Sequence, residues 1–171
     1  MRCHHLFVPS KLDYARGARP DVECVLCEVI ARRDTVDRLE VFRWGGFVVS
    51  LNLYPYNPGH LLLFPERHME TPAGLTTEEV QALHRLQLVA MDVLHELYGA
   101  AGFNVGYNCG EGSGASLDHF HVHVVPRYAR EIGFIDIVGG ARIIVEDPLV
   151  TVRRVAESFG RLGPSEGDCP V

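Results

Sequence analysis

The feature that most constrains this chain is a run of histidines that alternate with apolar residues. Residues 118–127 read Asp-His-Phe-His-Val-His-Val-Val-Pro-Arg. Strict alternation predicts a β-strand with one buried face, because successive side chains of a strand point to opposite faces. The imidazoles of His119, His121 and His123 are therefore expected on one face, with the apolar side chains against a core. Both nitrogens of each ring need partners, which indicates a functional site rather than an incidental surface.

A glycine-rich loop comes directly before this strand. Gly110–Ser116 contains three glycines, and Ser113 and Ser116 add hydroxyl groups. The backbone amides of such a loop can converge on an anion. An imidazole beside a bound phosphate can attack phosphorus and form a covalent intermediate. Its attacking nitrogen must be unprotonated, so the other nitrogen is expected to donate a hydrogen bond, typically to a carbonyl.

Two other interpretations of the histidine run stay open. In the first, the three histidines hold a catalytic zinc ion that activates water. Successive imidazoles on one face of a strand lie about 7 Å apart, at a rise of ~3.3 Å per residue, which makes three consecutive ligands to one metal awkward. In the second, the histidines are incidental residues of a surface strand.

The composition excludes several classes of function. The formal net charge is −6 and the isoelectric point is about 5.8, which argues against binding nucleic acid through a basic surface. The longest apolar runs are too short to span a bilayer, so no membrane association is expected. Five cysteines, an odd number without a secretory signal, fit a reducing cytoplasm better than a disulfide framework.

Periodicity and turn signals predict both helices and strands. The strongest helix is predicted over 78–98, with Thr76 and Glu79 at the spacing of a capping box and Gly99 placed to end it. The other predicted elements are a helix over 24–33, a strand pair over 41–50 around Gly45-Gly46, strands over 60–64, 102–108 and 117–127, and a helix from 148 to about 159 with Asp147 as N-cap.

With these motifs the chain resembles the histidine triad family of nucleotidyl hydrolases and transferases. The residues that carry the resemblance are the histidine run with Pro126 and Arg127, the Gly114-Ala-Ser116 segment, Asn52, and Pro58-Gly-His60 with the strand that follows. It covers about residues 24–128, which would form the domain of this family between an N-terminal arm (1–23) and a C-terminal extension (129–171) with a short helix and a frayed tail. Leu6–Tyr14 and Glu131–Asp147 look like the bacterial branch related to diadenosine tetraphosphate phosphorylases and hydrolases.

The resemblance implies an α+β fold, in which an antiparallel sheet carries one long helix and short flanking helices. It also implies a homodimer. In the site it implies that His121 is the nucleophile and that His123 contacts the phosphate. The other implied positions are Asn52 at the ribose hydroxyls, Asn108, Gly114 and Ser116 near the phosphates, and His60 in the hydrogen-bond network behind the triad. Many relatives carry Gln where this chain has Ala115, so Ser116 would take a larger part in catalysis.

The pair Cys24-Val-Leu-Cys27 has three interpretations by itself: a redox pair, half of a zinc site, or no special function. A structural zinc ion needs four ligands. Zinc-bearing relatives in the family combine two such cysteines with the histidine of a Pro-x-x-His segment and with the first histidine of the triad. Here these positions are His68 and His119, so the resemblance implies a structural Zn²⁺ on Cys24, Cys27, His68 and His119.

The function implied is cleavage of a nucleoside phosphate anhydride, of the dinucleoside polyphosphate type, or of a phosphoramidate. A nucleotidyl group would be carried on His121 and then released to water or inorganic phosphate. The alternative is a nucleotide-binding regulatory module without catalysis. The sequence leaves the nucleobase, the number of phosphates and the acceptor open.

Overall fold

The structure is a computed structural model that describes residues 20–129, 147–165 and 167–168. The elements are α1 (Val25–Ile30), β1 (Glu40–Trp44), β2 (Phe47–Leu51), β3 (Leu61–Pro65), α2 (Thr77–Tyr98), β4 (Gly102–Gly106), β5 (Val122–Arg127) and α3 (Pro148–Leu162). The predictions for Leu6–Tyr14 and for residues 131–146 lie outside the described residues, as does most of the N-terminal arm.

The five strands form one antiparallel sheet in the order β1-β2-β3-β5-β4. A two-residue turn joins β1 to β2, with Gly45 at φ 59° and Gly46 at φ 78°. Positive φ at both central positions gives the mirror-image turn whose twist matches the strands of a hairpin, and glycine adopts it without steric cost. The predicted strand pair and the α+β class with an antiparallel sheet are therefore confirmed.

Helix α2 packs against the sheet and supplies much of the core. Its predicted capping box is present, since Glu79 N donates to Thr76 Oγ1 at 3.2 Å and Thr76 N donates to Glu79 Oε2 at 2.8 Å. Its buried face meets the buried side chains of β2 and β3, among them Phe47, Leu61 and Leu63. Helix α3 adds Val155 and Phe159 to the same core. None of the helices among the described residues is long and apolar enough to cross a membrane.

The strand predicted over 117–127 is shorter than expected, because β5 begins only at Val122. Its ladder with β3 ends at the pair Leu63 and Val122. Two positions further along β3 lies Pro65, which has no N–H to donate to a ladder. Phe120 N donates instead to Met69 O at 2.6 Å. The strand predicted over 102–108 also ends early, at Gly106.

Candidate functional site

The imidazole of His121 is held by a backbone carbonyl. Its Nδ1 lies 2.7 Å from His119 O, and the side chain is 5% exposed. A carbonyl oxygen can only accept, so Nδ1 carries the proton and Nε2 of the neutral ring bears the lone pair. This is the tautomer that an attacking imidazole needs, and the predicted donation from Nδ1 to a carbonyl is confirmed.

A second imidazole, that of His123, is oriented through the fully buried His60. Tyr56 N lies 3.1 Å from His60 Nδ1, and a backbone N–H can only donate. In a neutral ring His60 Nε2 therefore carries the proton and donates to His123 Nδ1 at 3.0 Å. In a neutral ring His123 then has its own proton on Nε2, which makes that nitrogen a donor suited to an anionic oxygen. The rings of His121 and His123 lie 4.8 Å apart at 71°.

Both of these histidines line a cavity of about 660 Å³. That volume lies within the range of small-molecule sites. Helix α1 forms an apolar wall of the cavity with Val25, Leu26 and Val29. The other residues of the lining include Val36, Leu39, Leu62 and Leu117, the polar side chains of Asp34, Thr35 and Asp37, and Asn52, Tyr54, Tyr56 and Ser116. The lining thus combines the apolar side chains of α1 with polar side chains and two oriented imidazoles.

Asn52 lines this cavity and also stabilises the turn that follows β2. Its Oδ1 accepts from Tyr54 N at 3.0 Å, an Asx turn, and its Nδ2 lies 3.2 Å from His60 Nδ1. A carboxamide has two acceptor sites on oxygen and two hydrogens on nitrogen, so these contacts leave it capacity for a ligand. The predicted role at the ribose stays a prediction.

The glycine-rich loop is exposed, and the side chain of Ser113 forms hydrogen bonds within it. Ser113 Oγ donates to Gly110 O at 2.7 Å and accepts from Ala115 N at 3.3 Å. Ser113 therefore stabilises the loop, whereas Ser116 lines the cavity. Among the described residues, Asn108 and Gly114 do not belong to the cavity lining, so their predicted place near the phosphates stays a prediction.

The remaining histidine of the run, His119, belongs to a different cluster. Donor atoms of Cys24, Cys27, His68 and His119 all lie within 4.8 Å of one another. His119 Nδ1 is 3.5 Å from Cys24 Sγ and 3.6 Å from Cys27 Sγ, and Cys27 Sγ is 3.4 Å from His68 Nδ1. Tetrahedral zinc with ordinary bond lengths places S and N ligands roughly 3.6 Å apart. The donor set and its spacing therefore fit a four-coordinate metal ion.

The ring of His119 is oriented for this cluster from its other side. His119 Nε2 lies 3.0 Å from Pro65 O, so Nε2 carries the proton and Nδ1 presents its lone pair to the thiols. Burial lowers the pKa of His119 to about 4, which keeps the ring neutral. Without a metal ion, burial and the neighbouring Cys24 raise the pKa of the Cys27 thiol to about 11.

The expectation that all three imidazoles lie on one face of a strand is therefore corrected. His119 lies outside the β5 ladder, and its side chain joins the cysteines, while His121 and His123 line the cavity. Within the part of the chain that the structure describes, the metal-ligand cluster includes no triad residue except His119. A catalytic zinc held by two or more triad histidines is not what this geometry provides.

Comparison with known proteins identifies the family of this chain. Residues 23–132 match the family model described as scavenger mRNA decapping enzyme C-terminal binding. The chain is also 30% identical over 112 residues to the protein named Hit of Bacillus subtilis, covering 65% of this chain and 75% of that protein. The chain belongs to the histidine triad family. The resemblance drawn from its motifs is thereby confirmed.

Two further relatives extend the comparison. The AP-4-A phosphorylase of Mycobacterium tuberculosis is 42% identical over 112 residues, which is 65% of this chain and 57% of that protein. The chain thus spans little more than half the length of that relative. A crystal structure of a zinc-bound histidine triad family protein from Mycobacterium smegmatis superposes with a TM-score of 0.64 at 20% identity, covering 81% of this chain and 96% of that one. At that identity the likeness shows the shared fold.

Several residues of the cavity had no signal in the sequence. Tyr54 and Tyr56 lie in a turn rich in proline and glycine, where an aromatic side chain has no periodic pattern to reveal its direction. The apolar residues of α1 were identifiable as a buried helix face, but not as the wall of a ligand cavity. The place of the two tyrosines and of α1 in the cavity lining follows only from the tertiary structure, which brings the turn after β2, helix α1 and the triad together.

Proposed function

We propose that this histidine triad protein cleaves dinucleoside polyphosphates through a nucleotidyl group carried on His121. The observation that carries the proposal is the contact between His121 Nδ1 and His119 O at 2.7 Å, which leaves Nε2 as the nucleophilic nitrogen in a ligand-sized cavity. The AP-4-A phosphorylase of M. tuberculosis, at 42% identity, supports this class of substrate. Nucleoside phosphoramidates present the same phosphorus centre and belong to the same proposal.

The reaction would proceed in two substitutions at one phosphorus. His121 Nε2 attacks the phosphorus, a P–N bond forms, and the P–O bond to the leaving nucleotide breaks. The proton on His123 Nε2 hydrogen-bonds a nonbridging oxygen while its negative charge increases, and we propose Ser116, which lines the cavity, and the loop amides as further donors to it. Water or inorganic phosphate then attacks the phosphorus and the P–N bond breaks, which returns the lone pair to His121 Nε2. Water yields the nucleoside monophosphate and releases a proton, whereas inorganic phosphate yields the nucleoside diphosphate.

A regulatory module that binds nucleotide without turnover is the second candidate. It would need the cavity and Asn52, but not an oriented nucleophile. The relay from Tyr56 N through His60 to His123, together with the carbonyl at His121 Nδ1, fixes two imidazole tautomers at once. Binding alone does not require this arrangement, so it favours the enzyme.

We further propose that the cluster of Cys24, Cys27, His68 and His119 holds a structural Zn²⁺. Two sulfur and two nitrogen donors are the ligands that zinc prefers, and all four positions of a tetrahedron would be filled by protein. A site without an open position serves stability and not Lewis-acid catalysis. Because thiolate ligands need reduced cysteines, we also propose the cytoplasm as the location of this protein.

The expected homodimer is a proposal as well. Its support is the edge strand β4, on which Val105 is 42% exposed, and the neighbouring Tyr107, which is 51% exposed. An edge strand with exposed apolar side chains favours pairing with a second chain. Leu88, on α2, adds another exposed apolar side chain.

Incubation with a panel of dinucleoside polyphosphates tests the proposed enzyme directly. We expect the purified protein to convert at least one of them to mononucleotide products, resolved by mass with and without inorganic phosphate. A product that gains phosphate identifies phosphorolysis, and a product that gains water identifies hydrolysis. Tight binding of the same compounds without any product would establish the regulatory module instead.

The Asn52→Leu variant tests the predicted contact with the ribose. Leucine has neither donor nor acceptor, so a buried ribose hydroxyl would lose its partner at a cost of about 1–3 kcal/mol in binding. We expect this loss for adenosine monophosphate and a smaller loss for its 2′,3′-dideoxy form, both measured by calorimetry. Equal losses for the two ligands would show that Asn52 only holds its turn, through Tyr54 N and His60.

A further inference from the structure

One aromatic side chain lies on the exposed side of the cavity, next to the histidine pair. Tyr56 lines the cavity and is nevertheless 56% exposed. Its ring stacks on the imidazole of His60, with centroids 4.9 Å apart and planes at 29°. The same ring lies 6.0 Å from His123. A large aromatic ring that is both exposed and fixed in orientation is a platform on which a nucleobase can stack.

This platform lies beside His123, the imidazole proposed to contact the phosphate. The His121 and His123 centroids are 4.8 Å apart, and Tyr56 follows at 6.0 Å from His123. The apolar wall from α1 offers a place for one base of a substrate. A dinucleoside polyphosphate has a second base, which must lie elsewhere along the phosphate chain.

We propose that Tyr56 stacks on the nucleobase of the leaving nucleotide, so that the protein binds both ends of a dinucleoside polyphosphate. This proposal rests on the function proposed above and adds a second base subsite to it. Stacking on an aromatic face tolerates any base, so Tyr56 would select for the presence of a second nucleoside and not for its identity.

The structure fixes the Tyr56 ring before any ligand arrives. Its backbone N–H donates to His60 Nδ1 at 3.1 Å, and its ring packs on the imidazole of the fully buried His60. Pro55 and Pro58, on either side, fix two φ angles of the turn. A platform that is already ordered loses little side-chain entropy when a base binds to it.

Two substrates that differ only in the second adenosine test the proposal. We would measure kcat/KM for diadenosine tetraphosphate and for adenosine 5′-tetraphosphate with the wild type, Tyr56→Ala and Tyr56→Phe. We expect Tyr56→Ala to lower the preference for the dinucleoside about tenfold, mainly through KM, because one base loses its stacking partner. Phenylalanine keeps the aromatic face, so Tyr56→Phe should retain the wild-type preference.

The outcomes separate the subsite from other roles of Tyr56. If Tyr56→Ala lowers both kcat/KM values by the same factor, the side chain acts through His60 and the second subsite is refuted. An unchanged preference with unchanged rates refutes it equally. If the wild type cleaves neither compound, that failure concerns the proposed enzyme and not the subsite. The subsite is then tested by the ratio of the two dissociation constants, with the same tenfold change expected.

Discussion

The His121→Asn variant is expected to bind nucleotide as the wild type does and to lose at least about a thousandfold in kcat. Asparagine fills similar space, and its amide can still donate to His119 O, the contact that His121 Nδ1 makes at 2.7 Å. It has no nucleophilic nitrogen, so no bond to phosphorus forms. The measurement is a single-turnover assay with a dinucleoside polyphosphate, together with binding of the mononucleotide.

His84→Asn is the matched control. His84 is exposed on α2, so this variant makes the same substitution away from the cavity. It should turn over as the wild type does. Mass spectrometry of the rapidly quenched wild type should show a nucleotidyl adduct that is absent from His121→Asn. Turnover of His121→Asn within about tenfold of the wild type would refute covalent catalysis at this residue.

The largest expected effect on stability comes from the metal cluster. Protein purified without chelator is expected to contain about one zinc ion per chain, because four ligands from three separate segments converge only in the folded state. The Cys24→Ser variant should lose the metal ion. We expect its free energy of unfolding to fall by more than about 3 kcal/mol, measured by denaturant titration.

Cys109→Ser provides the control for this experiment, since Cys109 is exposed and lies outside the cluster. Its unfolding should match that of the wild type. In the folded fraction of Cys24→Ser the chemical step should change less than stability does, because the cluster does not include His121. Metal-free wild-type protein with reduced cysteines and normal stability would contradict the zinc site.

Metal binding also predicts a proton release with a definite sign. The free thiol of Cys27 has a pKa raised to about 11, so it is protonated at neutral pH, whereas a zinc ligand must be a thiolate. Binding of zinc to the metal-free protein therefore releases protons. Its affinity should rise as the pH rises through the neutral range.

Local signals in the sequence predicted much of the fold. The Gly45-Gly46 turn, the capping box of α2 and the Asp147 N-cap of α3 depend on neighbours within a few residues, and all are present. The alternation of the histidine run predicted a strand over 117–127, but the strand begins only at Val122. That boundary depends on Pro65, a residue of β3 that is distant in sequence and adjacent in space.

In the candidate site, too, motifs predicted some features and only the fold shows the others. The histidine run, the cysteine pair and their likeness to one family were sufficient to identify His121, His123 and the four candidate metal ligands. The different tasks of the three histidines were not predictable from their alternation. His119 joins the cysteines because the ring nitrogen Nε2 meets Pro65 O, a contact between segments 54 residues apart.

Sequence motifs were sufficient to predict the family, the antiparallel α+β class and the types of side chain in the site. Tertiary structure alone decided which imidazole nitrogen carries each proton, because that depends on Tyr56 N, His60 and His119 O. It also decided that α1 and Tyr56 line one cavity with His121. The physical reason is the range of the interactions: turns and caps are fixed by adjacent residues, whereas hydrogen-bond partners and cavity walls come from segments that only folding brings together.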